Sequence, residues 1–175
     1  MERKQPSFLG ALVVFVVVTG LVIWWVSSLA NGDLLWFLRV FDTQADWVTI
    51  YWDGETHMFF PGDSGYEVVM DAFADAVAHW SGYERGVGLS DENLGLFRDE
   101  GRMLELHYND PVHVHTRHLY PEARIFFIPL TGTHASFRRI FAGLTDRPRI
   151  GVLNAGEARF DHLLTAVEQV VQEIP

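Results

Sequence analysis

The densest group of chemically versatile side chains is a histidine-rich stretch, HYNDPVHVHTRH, which begins at His107. The Asn-Asp-Pro sequence at residues 109–111 is typical of a tight turn. The residues on both sides of it alternate between apolar and polar. The sequence therefore predicts a β-hairpin closed by residues 109–111.

This hairpin would bring four potential metal ligands together. His107 would face His113 and Glu105 would face His115, with all four on the side opposite the apolar residues. Directly opposed Cβ atoms lie about 4.5 to 5.5 Å apart, and imidazoles at that spacing can converge on one ion at Zn–N distances of about 2.0 to 2.1 Å. Three histidines and one glutamate favour zinc, nickel or copper over magnesium or calcium. The sequence thus predicts a site for zinc or another transition metal.

The same pattern has two other interpretations. A hairpin with one buried face carries alternating polar residues on its wet face, whatever their function, and a register slip of one residue would separate the four side chains. A histidine cluster could also respond to pH, because imidazole titrates near neutrality.

A second set of side chains recurs every four residues and therefore shares one helix face. Its members are Glu67, Asp71, Asp75 and His79. Carboxylates and imidazoles in such an array can bind a divalent ion. The stripe lies away from the apolar positions of the same helix, so we interpret it as a solvated face.

Residues 62–65, Gly-Asp-Ser-Gly, match the start of the nucleophile motif in trypsin-like serine proteases. Those enzymes place the histidine and aspartate of the triad well upstream of the serine. Here only the apolar N-terminal stretch and one hairpin precede Ser64, so we reject a protease. Ser64 and Glu67 instead predict a capping box at a helix N-terminus.

Composition excludes several further classes of chemistry. The chain has no cysteine, which rules out disulfides, thiol nucleophiles and cysteine-ligated zinc. Its only lysine is Lys4, and it carries neither a phosphate-binding loop nor a dinucleotide fingerprint. A hydrolase with paired carboxylates stays open. No catalytic residue is therefore predicted, and a non-enzymatic role is favoured.

The net charge of the chain is -10. After the apolar N-terminal stretch, 11 arginines stand against 22 aspartates and glutamates, a net charge of about -11. Such a surface repels nucleic acids, so we predict no nucleic-acid partner.

The N-terminal region predicts a membrane anchor. No charged residue lies between Gln5 and Gly32, and Phe8 to Val26 is almost purely apolar. At 1.5 Å per residue this stretch spans about 28 Å, close to the hydrocarbon thickness of a bilayer. A cleaved signal peptide is the alternative, since Ser28 to Ala30 form a small-residue cleavage site.

Flanking charges predict the orientation of this anchor. Arg3 and Lys4 precede it, whereas the first basic residue after it, Arg39, lies beside Asp33 and Asp42. The positive-inside rule places the N-terminus in the cytoplasm and the rest outside. The predicted regions are a cytoplasmic tail (1–7), a transmembrane helix (8–30), a juxtamembrane segment (31–45) and an extracytoplasmic domain (46–175).

Aromatic residues flank the outer end of the predicted anchor. We assign Trp24, Trp25, Trp36 and Phe37 to the membrane interface, where such rings are enriched. The short apolar segment 34–41 could lie along the bilayer surface, form the first buried segment of the domain, or contact a partner helix.

The remaining sequence predicts an α+β domain. Residues 47–52 and 56–60 form a hairpin around Asp53-Gly54, followed by an amphipathic helix at 65–80. Further predictions are a loop at 81–88, a short helix at 90–98, strands at 102–108, 124–130 and 150–153, a short helix or a strand at 137–144, a cap at Asn154 and Glu157, and a C-terminal helix at 160–171.

This order predicts one mostly antiparallel sheet with two main helices packed on it. The predicted function is that of a single-pass cell-membrane protein acting as an accessory, scaffold or sensor component of a membrane system. Its predicted partners are the lipid bilayer and a membrane or extracytoplasmic protein. The alternative is a metal-binding or metal-dependent domain that uses the histidine-rich hairpin.

Overall fold

The computed structural model describes residues 8–31, 34–35, 37, 41–84, 87–115, 122–148 and 151–174. This part of the chain forms five helices and one seven-stranded antiparallel sheet, a mixed α+β architecture. The predicted tail at 1–7 and Trp36 lie outside the described residues.

The elements follow one another along the chain with short connections. The helices are α1 (Phe8–Asn31), α2 (Ser64–Ala78), α3 (Asp91–Asp99), α4 (Gly132–Ser136) and α5 (Glu157–Gln172). The strands are β1 (Trp47–Trp52), β2 (Glu55–Phe59), β3 (Trp80–Glu84), β4 (Arg102–Val112), β5 (Ala123–Pro129), β6 (Arg139–Gly143) and β7 (Gly151–Ala155). Their order across the sheet is β2-β1-β4-β5-β6-β7-β3, and every neighbouring pair is antiparallel.

Helix α1 is long and apolar enough to cross a membrane by its length and composition. The stretch Phe8–Ala30 has a mean hydropathy of 2.6, and its most apolar window is 0% buried. A helix that is apolar on all sides yet uncovered by protein differs from the amphipathic helices that pack on a soluble core.

The predicted β1–β2 hairpin is confirmed, and the backbone of its turn accounts for the presence of Asp53 and Gly54. Asp53 and Gly54 both have positive φ, at 51° and 88°, as a type I′ turn requires. The Asp53 carboxylate also accepts hydrogen bonds from the Arg102 guanidinium at 2.8 and 2.9 Å.

The main core lies between one face of the sheet and helices α2 and α5. Alternate strand residues and the apolar stripes of the two helices form this core. Its fully buried side chains include Tyr66, Phe73, Leu104, Leu106, Phe126 and Phe160. The opposite face carries a smaller core under α3, which contains Leu89, Leu94, Met103, Phe127, Phe141 and Val152.

The segment before β1 is fixed to the main core. Phe41 is 7% exposed, and its ring lies edge-on to Phe73, Tyr108 and Phe126 at centroid distances of 5.6 to 6.3 Å. Among the described residues of the apolar segment 34–41, Phe41 is buried in the domain core, whereas Leu34, Leu35 and Phe37 are exposed.

Hydrogen bonds hold the next residues of this segment. The backbone carbonyl of Ala45 accepts a bond from the Tyr66 hydroxyl. The backbone N–H of Asp46 donates to the His107 carbonyl at 2.8 Å, and the Asp46 carboxylate accepts from the Asn109 N–H at 2.7 Å. The chain thus enters the sheet along a defined path.

Two predicted elements differ from the structure. The predicted loop at 81–88 contains strand β3, an edge strand whose partner, β7, lies far along the chain. Residues 137–144, for which a helix was favoured, contain strand β6, because their pairing with β5 and β7 overrides the helical spacing of their apolar residues.

Both predicted helix caps are wrong. The N-cap of α2 is Asp63, whose carboxylate accepts from the Phe60 N–H at 2.8 Å, and Ser64 is the first helical residue. The N-cap of α5 is Gly156, whereas Asn154 belongs to β7.

Truncation of Phe41 should destabilise the whole domain. Phe41→Ala removes a buried ring from an aromatic cluster and should lower the free energy of unfolding by about 3 to 5 kcal/mol. Urea unfolding of the full chain in detergent micelles, followed by tryptophan fluorescence, measures this change. Phe137→Ala is the matched control, because Phe137 is 57% exposed. Equal effects of the two variants would contradict the role given to Phe41.

Candidate functional site

A buried carboxylate lies on the sheet face under α3. Glu105 is 0% exposed, because β4 is a central strand and α3 covers its side of the sheet. The Glu105 carboxylate accepts from Arg98 of α3, with Oε1 at 2.7 Å from Nη2 and 2.8 Å from Nε. This charge is therefore neutralised in place, as a buried carboxylate requires.

The second oxygen of Glu105 faces two further polar side chains. His107 Nε2 lies 3.2 Å from Oε2, and the Tyr51 hydroxyl lies 3.5 Å from it. The His107 ring also stacks on Trp47, with centroids 4.7 Å apart and planes 9° apart. Burial raises the pKa of Tyr51, and the Glu105 charge raises it further, so the phenol stays protonated and donates.

This arrangement joins Arg98, His107 and Tyr51 to one buried carboxylate. The serine, cysteine or lysine nucleophile that a covalent mechanism requires is absent from the contacts described for Glu105. The simplest function of the cluster is to fix α3 to the sheet with a charge pair.

The predicted metal ligands fall into two pairs. Glu105 and His107 are in contact, and the rings of His113 and His115 lie 5.9 Å apart. The predicted hairpin that would join these two pairs is wrong, because β4 continues through Pro111 without a turn.

Pairing in the sheet explains the difference. His107 lies opposite Ile125 of β5 and Trp47 of β1, and Val112 lies opposite Ala123. The metal site stays a prediction, but the hairpin on which it was based does not form. Among the described residues, no group of three or more His, Asp or Glu side chains is arranged to hold a metal ion.

The acidic stripe on α2 lies on the solvated side of the helix. Asp75 pairs with Arg159 of α5 at 2.7 Å and with His79 at 3.1 Å, whereas Glu67 and Asp71 are exposed. The ion pair of Asp75 with Arg159 thus links the two helices.

Ser64 lines a cleft of about 430 Å³ at the start of α2, and His57 lines the same cleft. His57 contacts Glu55 at 3.3 Å. In the part of the chain that the structure describes, no hydrogen bond joins Ser64 to His57. This imidazole therefore does not activate Ser64 in the described arrangement.

A second cleft, of about 380 Å³, lies between α3 and α4. Its lining mixes polar and apolar side chains and consists of Asn93, Leu96, Phe97, Glu100, Gly101, Thr131, Thr133 and His134. The ring of His134, one of these lining residues, lies edge-on to Phe141, with centroids 5.2 Å apart.

A network of polar side chains orients His134. Arg139 Nη1 lies 3.2 Å from His134 Nδ1, and Arg139 Nη2 lies 3.0 Å from Glu84 Oε2. Asn154 Nδ2 donates to Glu84 Oε1 at 2.8 Å. A guanidinium only donates, so we infer that Nδ1 of His134 accepts and that the neutral ring carries its proton on Nε2.

Sequence reasoning missed this network. Glu84, Arg139 and Asn154 come from three strands that meet only in the folded sheet. In this neighbourhood Arg139 Nε and Asn154 Oδ1 are buried without a hydrogen-bond partner among the described residues.

The residues predicted at the membrane interface have mixed environments. Trp25 and Phe37 are more than half exposed, and Trp24 is half-buried. The rings of Trp24 and Trp25 lie 6.2 Å apart.

Comparison with known proteins identifies no relative: no family model matches the chain, nor does any curated protein or solved structure.

Removal of the Glu105 charge should destabilise the domain, because it leaves the charge of Arg98 without its partner. Glu105→Gln leaves Arg98 facing an uncharged amide and should lower the free energy of unfolding by about 3 kcal/mol. The double variant Arg98→Met with Glu105→Leu should recover most of this loss, because it removes both charges and retains packing. Urea unfolding of the full chain in micelles measures both changes.

The control for this pair is Asp53→Asn. Asp53 also pairs with an arginine but lies at the exposed hairpin turn, so stability should hardly change. A double variant of Arg98 and Glu105 that is less stable than Glu105→Gln would show that the ion pair is net stabilising, against this account.

Acid should destabilise the domain through His134. Burial lowers the pKa of His134 below its ordinary value of 6.5, and the Arg139 charge lowers it further. The folded state therefore binds this proton less tightly than the unfolded chain, so His134 contributes stability above pH 6.5 that is lost as the pH falls below that value.

His134→Gln removes the titration but keeps an acceptor for Arg139. The stability of the wild type relative to this variant should decrease from about pH 7.5 to about pH 5, the range in which histidine titrates. Urea unfolding at each pH measures the difference. A difference that stays constant across this range would contradict the neutral, desolvated state of His134.

Proposed function

We propose that this chain is a single-pass membrane protein whose α+β domain lies outside the cytoplasm and acts as an accessory, scaffold or sensor component of a membrane system. The observation that carries the proposal is the exposed apolar helix α1, with a mean hydropathy of 2.6 over Phe8–Ala30. Exposed apolar surface of this extent is stable in a bilayer and costly in water.

Flanking charge supports the orientation. Arg3 and Lys4 precede α1, and the residues after it carry a net charge of about -11. Basic residues are retained on the cytoplasmic side of a membrane helix, so the N-terminus is cytoplasmic and the domain lies on the opposite side.

The connection between anchor and domain supports a scaffolding or sensing role. Phe41 is buried in the domain core, and Asp46 is hydrogen-bonded to β4. A displacement of the anchor by a membrane partner therefore acts on a packed segment of the domain. The partner in this proposal is a membrane or extracytoplasmic protein.

Cysteine labelling tests the proposed orientation, because the chain has no cysteine of its own. In cells with an intact cytoplasmic membrane, a membrane-impermeant maleimide should label Leu96→Cys in the domain. It should label Gln5→Cys only after permeabilisation. Leu96 is 51% exposed and belongs neither to the ion pair of Glu105 with Arg98 nor to that of Glu84 with Arg139. The reverse pattern, or release of the chain by alkaline extraction, would contradict the anchor and its orientation.

The same cells test the accessory role. After extraction in mild detergent, the full chain should migrate in an assembly larger than the detergent-bound monomer, and in-membrane cross-linking should retain that assembly. A chain that migrates as a lone monomer and forms no cross-link in its native membrane would contradict the scaffold proposal while leaving the anchor intact.

A further inference from the structure

The register of the sheet defines which end of the domain lies next to the anchor. Strand β1 begins at Trp47, where the chain arrives from α1, and we call this end of the sheet the anchor end. Val48 at the start of β1 pairs with Phe59 at the end of β2. Phe60, the next residue, therefore leaves the sheet at the anchor end.

The β6–β7 connection leaves the sheet at the same end. Trp47 lies opposite His107, His107 opposite Ile125, and Ile125 opposite Gly143. Gly143 ends β6, so Leu144 follows at the anchor end. Two loops from distant parts of the chain thus extend beyond the sheet at the anchor end, and the connection between β4 and β5 leaves the sheet at the same end between them.

Each of these loops presents a large apolar side chain to the solvent. Phe60 is 51% exposed and Leu144 is 49% exposed. In the strand order, β2 and β6 are four strand spacings apart, so the two residues are separated by about 19 Å along the sheet edge. They lie on either side of β1 and β4, where the chain arrives from α1, and they do not form one continuous patch.

The length of the connection limits the distance between the domain and the end of α1. The stretch from Asn31 to Phe41 can span at most about 35 Å even when fully extended, which limits how far the anchor end can rise above the bilayer.

We propose that Phe60 and Leu144 insert into the interfacial region of the bilayer leaflet at the C-terminal end of α1, so that the anchor end of the domain rests on the lipid surface. This inference depends on the proposed membrane anchor. Apolar side chains at an interface gain by transfer out of water while the nearby backbone stays hydrated.

The net charge of the domain defines the lipid. Asp63 lies in the loop that contains Phe60, whereas in the loop that contains Leu144 the charge of Asp146 is balanced by that of Arg147. The residues after α1 carry a net charge of about -11. Anionic headgroups would repel a domain of this charge, so zwitterionic lipid such as phosphatidylcholine fits it.

Single cysteines in the full chain allow a depth measurement. Phe60→Cys and Leu144→Cys carry an environment-sensitive fluorophore, and the chain is reconstituted in phosphatidylcholine vesicles with and without a headgroup-region nitroxide lipid. Phe137→Cys is the matched control, because Phe137 is equally exposed but precedes β6 at the opposite end of the sheet. Val17→Cys near the middle of α1 reports insertion of the anchor. It is measured with a nitroxide on the lipid acyl chain instead, because the middle of a spanning helix lies about 15 Å from the headgroups.

The labels at residues 60 and 144 should be quenched by the nitroxide lipid roughly twofold or more strongly than the label at 137, since interfacial side chains lie about 5 to 10 Å deep. Replacing half of the phosphatidylcholine by phosphatidylglycerol should weaken this quenching. Equal quenching at 60, 144 and 137 would overturn the inference, and quenching at only one of the two sites would overturn the two-point contact.

A reporter beside Leu144 separates the contribution of the side chain from that of the dye. A label at Thr145→Cys, which is exposed, should lose most of its lipid quenching when Leu144 is changed to Ser. No change on this substitution would overturn the inference.

The anchor label separates the two proposals. Absence of lipid quenching at Val17→Cys would refute the membrane anchor itself. Quenching at Val17→Cys without quenching at 60 and 144 would overturn only the contact of the domain with lipid.

Discussion

Burial of Phe41 determines how the chain enters the sheet. Its ring fills a space between α2, β4 and β5, so residues 42–46 connect the helix-covered face of the sheet to the start of β1. The bonds of Asp46 to β4 then set the register of β1. A slip of one residue would transfer Val48 and Ile50 from the core to the opposite face. The same contact therefore fixes where the chain enters the domain and which strand residues form the core.

The two faces of the sheet stabilise the fold in different ways. The face under α2 and α5 is apolar and supplies most of the burial. The other face places a small apolar core between two ionic clusters, one at Glu105 with Arg98 and one at Glu84 with Arg139. Buried charges cost stability unless they are paired, so this face depends on accurate placement of α3. Leu94 and the Ser90 cap, whose hydroxyl accepts from Asn93 N–H at 3.1 Å, provide that placement.

Elements with local signals could be predicted from the sequence. The β1–β2 hairpin follows from Asp53-Gly54, and α5 follows from its apolar spacing. Strand β3 gave no such signal, because Ser81 and Gly82 interrupt it and it is paired only on one side. The predicted turn at 109–111 was wrong for a related reason. Strand β4 extends past the start of β1, where Asp46 takes up the free Asn109 N–H, so a turn-forming sequence stays extended.

The candidate site shows the same limit at the level of single side chains. Alternation along β4 placed Glu105 and His107 correctly on one face, because that relation is local. Their partners Arg98 and Tyr51 come from another helix and another strand, and no spacing in the sequence relates them. The tautomer of His134 depends on Arg139, which is itself positioned by Glu84 across two strand pairings. The ionisation behaviour of this domain is therefore a property of the assembled sheet, and it follows from strand order more than from any motif in the chain.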